Sequence, residues 1–160
     1  MFNIGAKVVY PMHGAGVIRD IEERLAAEKV IKYYVLSFWA TNMVLWLPVE
    51  KVERVGLRPV IDREKVDLVF SVLKEGKEKI HSNWNKRYKS HVDKIKSNDI
   101  LAIADVVRDL RRREKEKGLS TGEKKLLESA RQILVSELIL VLEEEEDKVL
   151  AMVERAIAQT

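Results

Sequence analysis

In the stretch Asn83-Trp84-Asn85-Lys86-Arg87-Tyr88-Lys89, a tryptophan and a tyrosine four residues apart stand among three cations, with His81 and His91 just outside. That mixture suits the binding of a polyanion. Lys86, Arg87 and Lys89 would neutralise phosphates and release counterions, an interaction that weakens with salt and is largely blind to base sequence. The amides of a first helical turn add partial positive charge. An indole in the same turn can enter the minor groove and fill a distorted or unpaired base step, with stacking worth roughly 1–3 kcal/mol. Because such a ring binds opened DNA better than closed duplex, it would shift a melting equilibrium without any catalytic step. Helical spacing permits a plainer reading as well. Trp84, Tyr88, Val92 and Ile95, spaced four, four and three, align as a core stripe that simply anchors the helix start.

Other chemistry is sparse. Lys124 and Lys125, just inside a helix start at Ser120, offer a second phosphate contact. Arg111, Arg112 and Arg113 point three ways around a helix, so at most one or two can join the patch and the rest face solvent. No P-loop, nucleophile elbow or HExxH occurs, and Gly14-Ala15-Gly16 is followed by a strand pattern rather than a helix. His13, His81 and His91 are too scattered for a ligand set, and His13 suits the turn beside Pro11. With no cysteine there is neither disulfide nor thiolate metal site. The expectation is a non-enzyme with no metal and no cofactor.

Of the 160 residues, 46% are hydrophobic and 34% charged, enough to bury a core. The net charge of +3 conceals an uneven spread. Residues 61–98 hold 10 Lys/Arg against 6 Asp/Glu, whereas 120–160 hold 5 against 9, so the positive excess is central. No apolar run reaches the roughly 18–20 residues of a membrane span, and MFNIGAKVVYP lacks a signal-peptide pattern. A cytoplasmic, nucleoid-associated protein with no membrane partner is expected.

The elements that must position these residues change period near Pro59. Before it, β-branched and aromatic runs at 6–10, 16–25, 30–38, 44–48 and 49–55 predict five strands, with turns at 11–14, 26–29 and 40–43. Five short strands suit a bent antiparallel sheet or SH3/Tudor-like β-barrel. After it, Asp62 caps a helix ending near Gly76, Ser82 or Asn83 opens another at Trp84, and Asn98-Asp99 starts a third that runs to Gly118. Ser120 and Glu123 form a capping box that starts a long apolar helix, and Glu143–Asp147 break the chain before a last amphipathic helix. The class is α+β: a sheet domain over 1–60 and an all-α bundle over 61–160.

The segments VVYPMHGAG (8–16), NWNKRYK (83–89) and VVRDLRRREKEKGLSTGEKKLLESARQIL (106–134), in that order, resemble the bacterial CarD/CdnL transcription regulators over essentially the whole chain. VVYP followed by glycine is also similar to the polymerase-interacting domain of transcription-repair coupling factors. The resemblance implies a Tudor-like domain that holds the RNA polymerase β subunit and a helical domain at the upstream edge of the promoter bubble. It implies that Trp84 is the minor-groove wedge, with Lys86, Arg87, Lys89 and Lys124 on the DNA backbone. On the polymerase side Arg24 matches a basic position, while Trp46 departs from the arginine of some members, so that contact is apolar or differently arranged. Trp39 is then the tryptophan expected in the core.

The expected function is that of a monomeric, non-catalytic regulator that bridges polymerase and promoter DNA and stabilises the open complex. Two other classes stay open at this stage. One is a polymerase adaptor whose helical half grips another protein through Trp84; the other is an RNA-binding Tudor/KOW-type module.

Overall fold

The computed structural model describes residues 1–76 and 83–158; His81 and Ser82 lie outside them. The α+β class is as expected. Five antiparallel strands, β1 (Lys7–Tyr10), β2 (Gly14–Ala26), β3 (Lys29–Phe38), β4 (Val44–Pro48) and β5 (Arg58–Pro59), lie in the order β4-β3-β2-β1-β5. Six helices accompany them among the described residues: α1 (Val52–Val55), α2 (Arg63–Lys74), α3 (Trp84–Lys96), α4 (Ile100–Glu116), α5 (Thr121–Leu142) and α6 (Glu146–Ala158).

β2 serves two neighbours. Its first residues pair with β1, Val9 opposite Ala15, and the register then shifts between Ile18 and Asp20 before β2 continues along β3 as far as Ala26 opposite Lys29. A bulge there bends the strand and increases its twist, which lets Val8, Ile18, Tyr34, Leu36, Phe38, Leu47 and Leu57 close around a small core. The hairpin turns on Ala27 and Glu28, both with positive φ (48° and 67°), the backbone of a primed two-residue turn that follows strand twist.

The fifth strand is not where the sequence pattern put it. Residues 49–55 form a 3₁₀ turn (Val49–Lys51) and α1, and the strand beside β1 is Arg58–Pro59. Val49, Val52 and Val55 recur every three residues and all pack on the sheet core, so helical geometry buries all three where a strand would turn Val52 away from the other two.

The helices start where their caps predict. Asp62 accepts from the Lys65 amide, Asn83 from Lys86, Asp99 from Leu101 and Ser120 from Glu123, each satisfying an otherwise orphaned first-turn donor. Glu143, at φ 54°, ends α5. α2, α4, α5 and α6 share one apolar core that includes Val69, Leu73, Ile103, Val107, Leu127, Leu134, Leu138, Val149 and Val153. α4 packs against α2, α3, α5 and α6, and α5 also meets β2: Ala15, 1% exposed, donates its amide to Ser136 Oγ at 2.9 Å. Gly14 (φ +89°) makes that approach possible, since a Cβ there would stand 2.8 Å from Ser136 Oγ and 3.5 Å from the Ile133 backbone.

Candidate nucleic-acid interface

Trp84 is the first residue of α3, and its side chain stands at the edge of the bundle, 42% exposed. One turn on, Tyr88 stacks against it, with ring centroids 4.8 Å apart and planes 16° from parallel. The indole N–H donates to Ser120 Oγ at 3.1 Å. Beneath the rings lies Gly122, where a Cβ would stand 3.4 Å from Tyr88 and 3.8 Å from Trp84. The indole is thus held on one face by stacking and at its polar edge by a hydrogen bond, and is still 42% exposed.

Of the expected stripe of Trp84, Tyr88, Val92 and Ile95, only Ile95 turns into the core, and the other buried residues of α3 are Arg87 and His91. Tyr88 and Val92 are only half-buried. The four-residue spacing is the same, rotated around the helix by about 100° per residue, and it seats two polar side chains inside. Arg87, 4% exposed, donates its Nε to Glu123 Oε2 at 2.8 Å and Nη2 to Oε1 at 3.4 Å. Glu123 also accepts from the Ser120 hydroxyl at 3.2 Å. Burial pushes the Glu123 carboxyl up, but the Arg87 hydrogen bond and charge, with the backbone and hydroxyl of Ser120, outweigh it and leave the group below its usual value. His91 is 3% exposed, and its Nδ1 has no hydrogen-bond partner among the described residues. Burial, then the nearby Lys94 charge, depress it to about 4, so the ring is neutral at pH 7.

Lys86, Lys89 and Lys124 are exposed, the first two on α3 with Trp84 and the third in the first turn of α5, next to the cap that holds the indole. Arg87 is set apart from them by its burial, although the sequence reading grouped the four together. A groove of about 530 Å³ runs from Lys86 and Lys89 past Ser90 to Ser97 beside the start of α4. A second, of about 780 Å³, runs from Lys124 along α5 to Trp39. Trp39 is 41% exposed, just past the end of β3, and not in the core as expected. The sheet core is already closed by Tyr34, Leu36 and Phe38 of β3.

The α4 arginines are not solvated either. Arg111 bonds Glu154 at 3.0 Å and Glu114 at 2.9 Å; Arg112 donates to the carbonyls of Leu73, Glu75 and Ile157; Arg113 carries a buried Nε. Arg112 ties α4 to the ends of α2 and α6, where terminal carbonyls lack intrahelical partners, and Arg111 adds an ion pair to α6.

On the sheet, Arg24 and Trp46 meet. The guanidinium lies 5.0 Å from the Trp46 ring centre, and Glu22 accepts from both Trp46 Nε1 and Arg24 Nη2 at 3.1 Å. The Trp46 hydrogen bond, more than Arg24, lowers the Glu22 carboxyl. Trp46 is 40% exposed, so the cluster presents an indole face and a cation on β2 and β4. Among the described residues no group of three His, Asp or Glu could hold a metal ion, and no helix is long and apolar enough to cross a membrane.

Residues 2–61 match the CarD-like/TRCF RID domain family, and residues 68–154 match the CarD C-terminal domain. The chain belongs to the CarD family. It is 41% identical over 141 residues to "Putative transcription factor YdeB" of Bacillus subtilis (strain 168), a match spanning 88% of this chain and 92% of that one. CarD-like proteins are transcription factors that interact with RNA polymerase and are generally non-catalytic. Within this CarD-family chain, sequence reasoning missed what supports Trp84. Ser120 was legible as a cap but not as the indole's partner, and Glu123 as a capping-box member but not as the partner of Arg87.

Proposed function

We propose that this CarD-family protein bridges the RNA polymerase β subunit and promoter DNA and stabilises the open complex, with Trp84 as a minor-groove wedge at the upstream edge of the bubble. The observation that carries the reading is the Trp84 ring, 42% exposed yet braced by Tyr88 and Ser120, with Lys86 and Lys89 exposed on the same helix and Lys124 exposed in the first turn of α5. A braced ring loses little freedom on binding, so more of its stacking energy appears as affinity. The three lysines supply salt-dependent, sequence-tolerant attraction to phosphates. Arg87 serves the interface from inside, by holding Glu123 and so the start of α5.

The sheet unit, residues 1–60, docks on polymerase through the Arg24–Trp46 cluster, and residues 61–160 face DNA. Tethering raises the local concentration of the DNA-binding face, so weak contacts suffice. The protein acts as a monomer that does no chemistry, in the cytoplasm at the nucleoid.

The test is the lifetime of competitor-challenged open complexes formed with the cognate polymerase. Trp84→Ala should shorten it by about tenfold, in line with the loss of one stacked base contact, while polymerase binding is retained. An unchanged lifetime with full polymerase recovery would remove the wedge.

A further inference from the structure

α5 joins the two halves. At its first turn Ser120 and Glu123 hold Trp84 and Arg87; sixteen residues beyond Thr121, about 24 Å along a helix, Ser136 and Glu137 hold the sheet unit. Glu137 is 0% exposed and accepts three hydrogen bonds at the junction: two from Arg58 of the sheet unit, Nη1 and Nη2 each at 2.8 Å, and one from the Ile61 amide at 2.9 Å. Arg58 continues the link, its Nε donating to the Asn98 carbonyl at 3.0 Å, and Asn98 Nδ2 returns to the Gly56 carbonyl at 2.9 Å. Lys7 Nζ donates to the Leu140 carbonyl at 2.8 Å.

A buried carboxylate is a poor way to gain stability, because desolvation consumes much of the attraction and an apolar replacement of both partners often does as well. What a two-pronged guanidinium–carboxylate pair adds is direction: it forms at one distance and one relative angle. We infer that Glu137, with Ser136, is a positioning residue that sets the angle of the sheet unit to α5, and through α5 the place at which Trp84 meets DNA. This rests on the reading of Trp84 as a wedge and Arg24–Trp46 as the polymerase contact. A polymerase-docked sheet on a loose joint would spread Trp84 over a volume; on this joint it delivers the ring to one base step.

The chain has no cysteine, so spin labels at Lys29→Cys and Lys125→Cys, both exposed, report the distance between the hairpin and the start of α5 in the full-length protein. The unsubstituted junction should give one narrow distance distribution, and Glu137→Gln and Ser136→Ala should broaden or displace it. Each variant should bind polymerase alone and forked DNA alone as before. Open-complex lifetime should fall by about threefold to tenfold, as effective concentration drops with added freedom. In a Trp84→Ala background, Glu137→Gln should shorten the lifetime no further. The inference is overturned by an unchanged distance distribution, by a broadened one with full lifetime, or by equal shortening with and without Trp84. Should Trp84→Ala alone leave the lifetime intact, the wedge reading fails, and the distances still judge whether Glu137 sets the joint.

Discussion

The indole N–H of Trp84 donates to the hydroxyl of Ser120 at 3.1 Å, joining the first residue of α3 to the cap of α5 across 36 residues of chain. The same oxygen accepts the Glu123 amide at 3.2 Å and donates to the Glu123 carboxylate. One hydroxyl therefore starts a helix and aims a tryptophan.

Ser120→Ala should remove both roles. Loss of the cap lowers stability by about 1 kcal/mol, read as a lower urea midpoint. Loss of the indole's anchor should also shorten open complexes, and Ser120→Thr, which keeps the hydroxyl, should restore both. Full-length lifetimes in the alanine variant would mean the hydrogen bond does not orient the ring.

Arg87 and Lys86 are neighbours with opposite expected phenotypes. Arg87→Met strands Glu123 at 2% exposure without its cation, a loss of about 3–5 kcal/mol for a broken buried pair. Lys86→Ala should leave the melting temperature nearly untouched and reduce the slope of log K against log salt by about one. Should Arg87→Met flatten the salt slope while melting normally, Arg87 contacts DNA directly.

Arg24→Glu should weaken capture of the β subunit without altering the affinity of the free protein for forked DNA. The new carboxylate would face Glu22 across the space where a cation now sits, adding like-charge repulsion to the lost contact over Trp46. A pull-down with undiminished recovery would take Arg24 out of the interface.

Burial of His91 should make stability depend on pH. Its folded value, about 4, lies below the ordinary 6.5, so between those limits the unfolded chain binds the extra proton and stability rises with pH. The contribution is complete above about pH 6.5 and is lost as pH falls toward 4, up to about 3 kcal/mol at the full shift. Denaturant titrations at pH 7 and pH 4.5 should show this fall in the natural protein and a smaller one in His91→Gln. Equal falls would assign the acid sensitivity to the carboxylates.

How far the sequence could be read depended on whether a signal was local. Caps at Asp62, Asn83, Asp99 and Ser120 involve residues two or three apart, and all four formed. The stretch 49–55 misled because β-branched valines suggest a strand, while their three-residue spacing decides for a helix once the sheet core offers one side to pack on. For α3, the spacing of Trp84 and Tyr88 put them on one face, where they stack, but could not fix which face turned inward. That depended on Glu123, 36 residues away, drawing Arg87 inside. Glu137 looked like one more acid in a helix because its partners, Arg58 and Ile61, stand at the boundary of the two halves, 79 and 76 residues away. The bracing of Trp84 by Tyr88 and Ser120 joins two helices and is legible only in the fold.

Trp39, Trp46 and Trp84 are 41%, 40% and 42% exposed, and neither apolar core contains an indole. The protein's intrinsic fluorescence therefore originates at its surfaces. Emission should respond weakly to loss of core packing and strongly to anything seated over α3, β4 or the end of β3, so three single-tryptophan variants would turn each surface into its own optical reporter of occupancy.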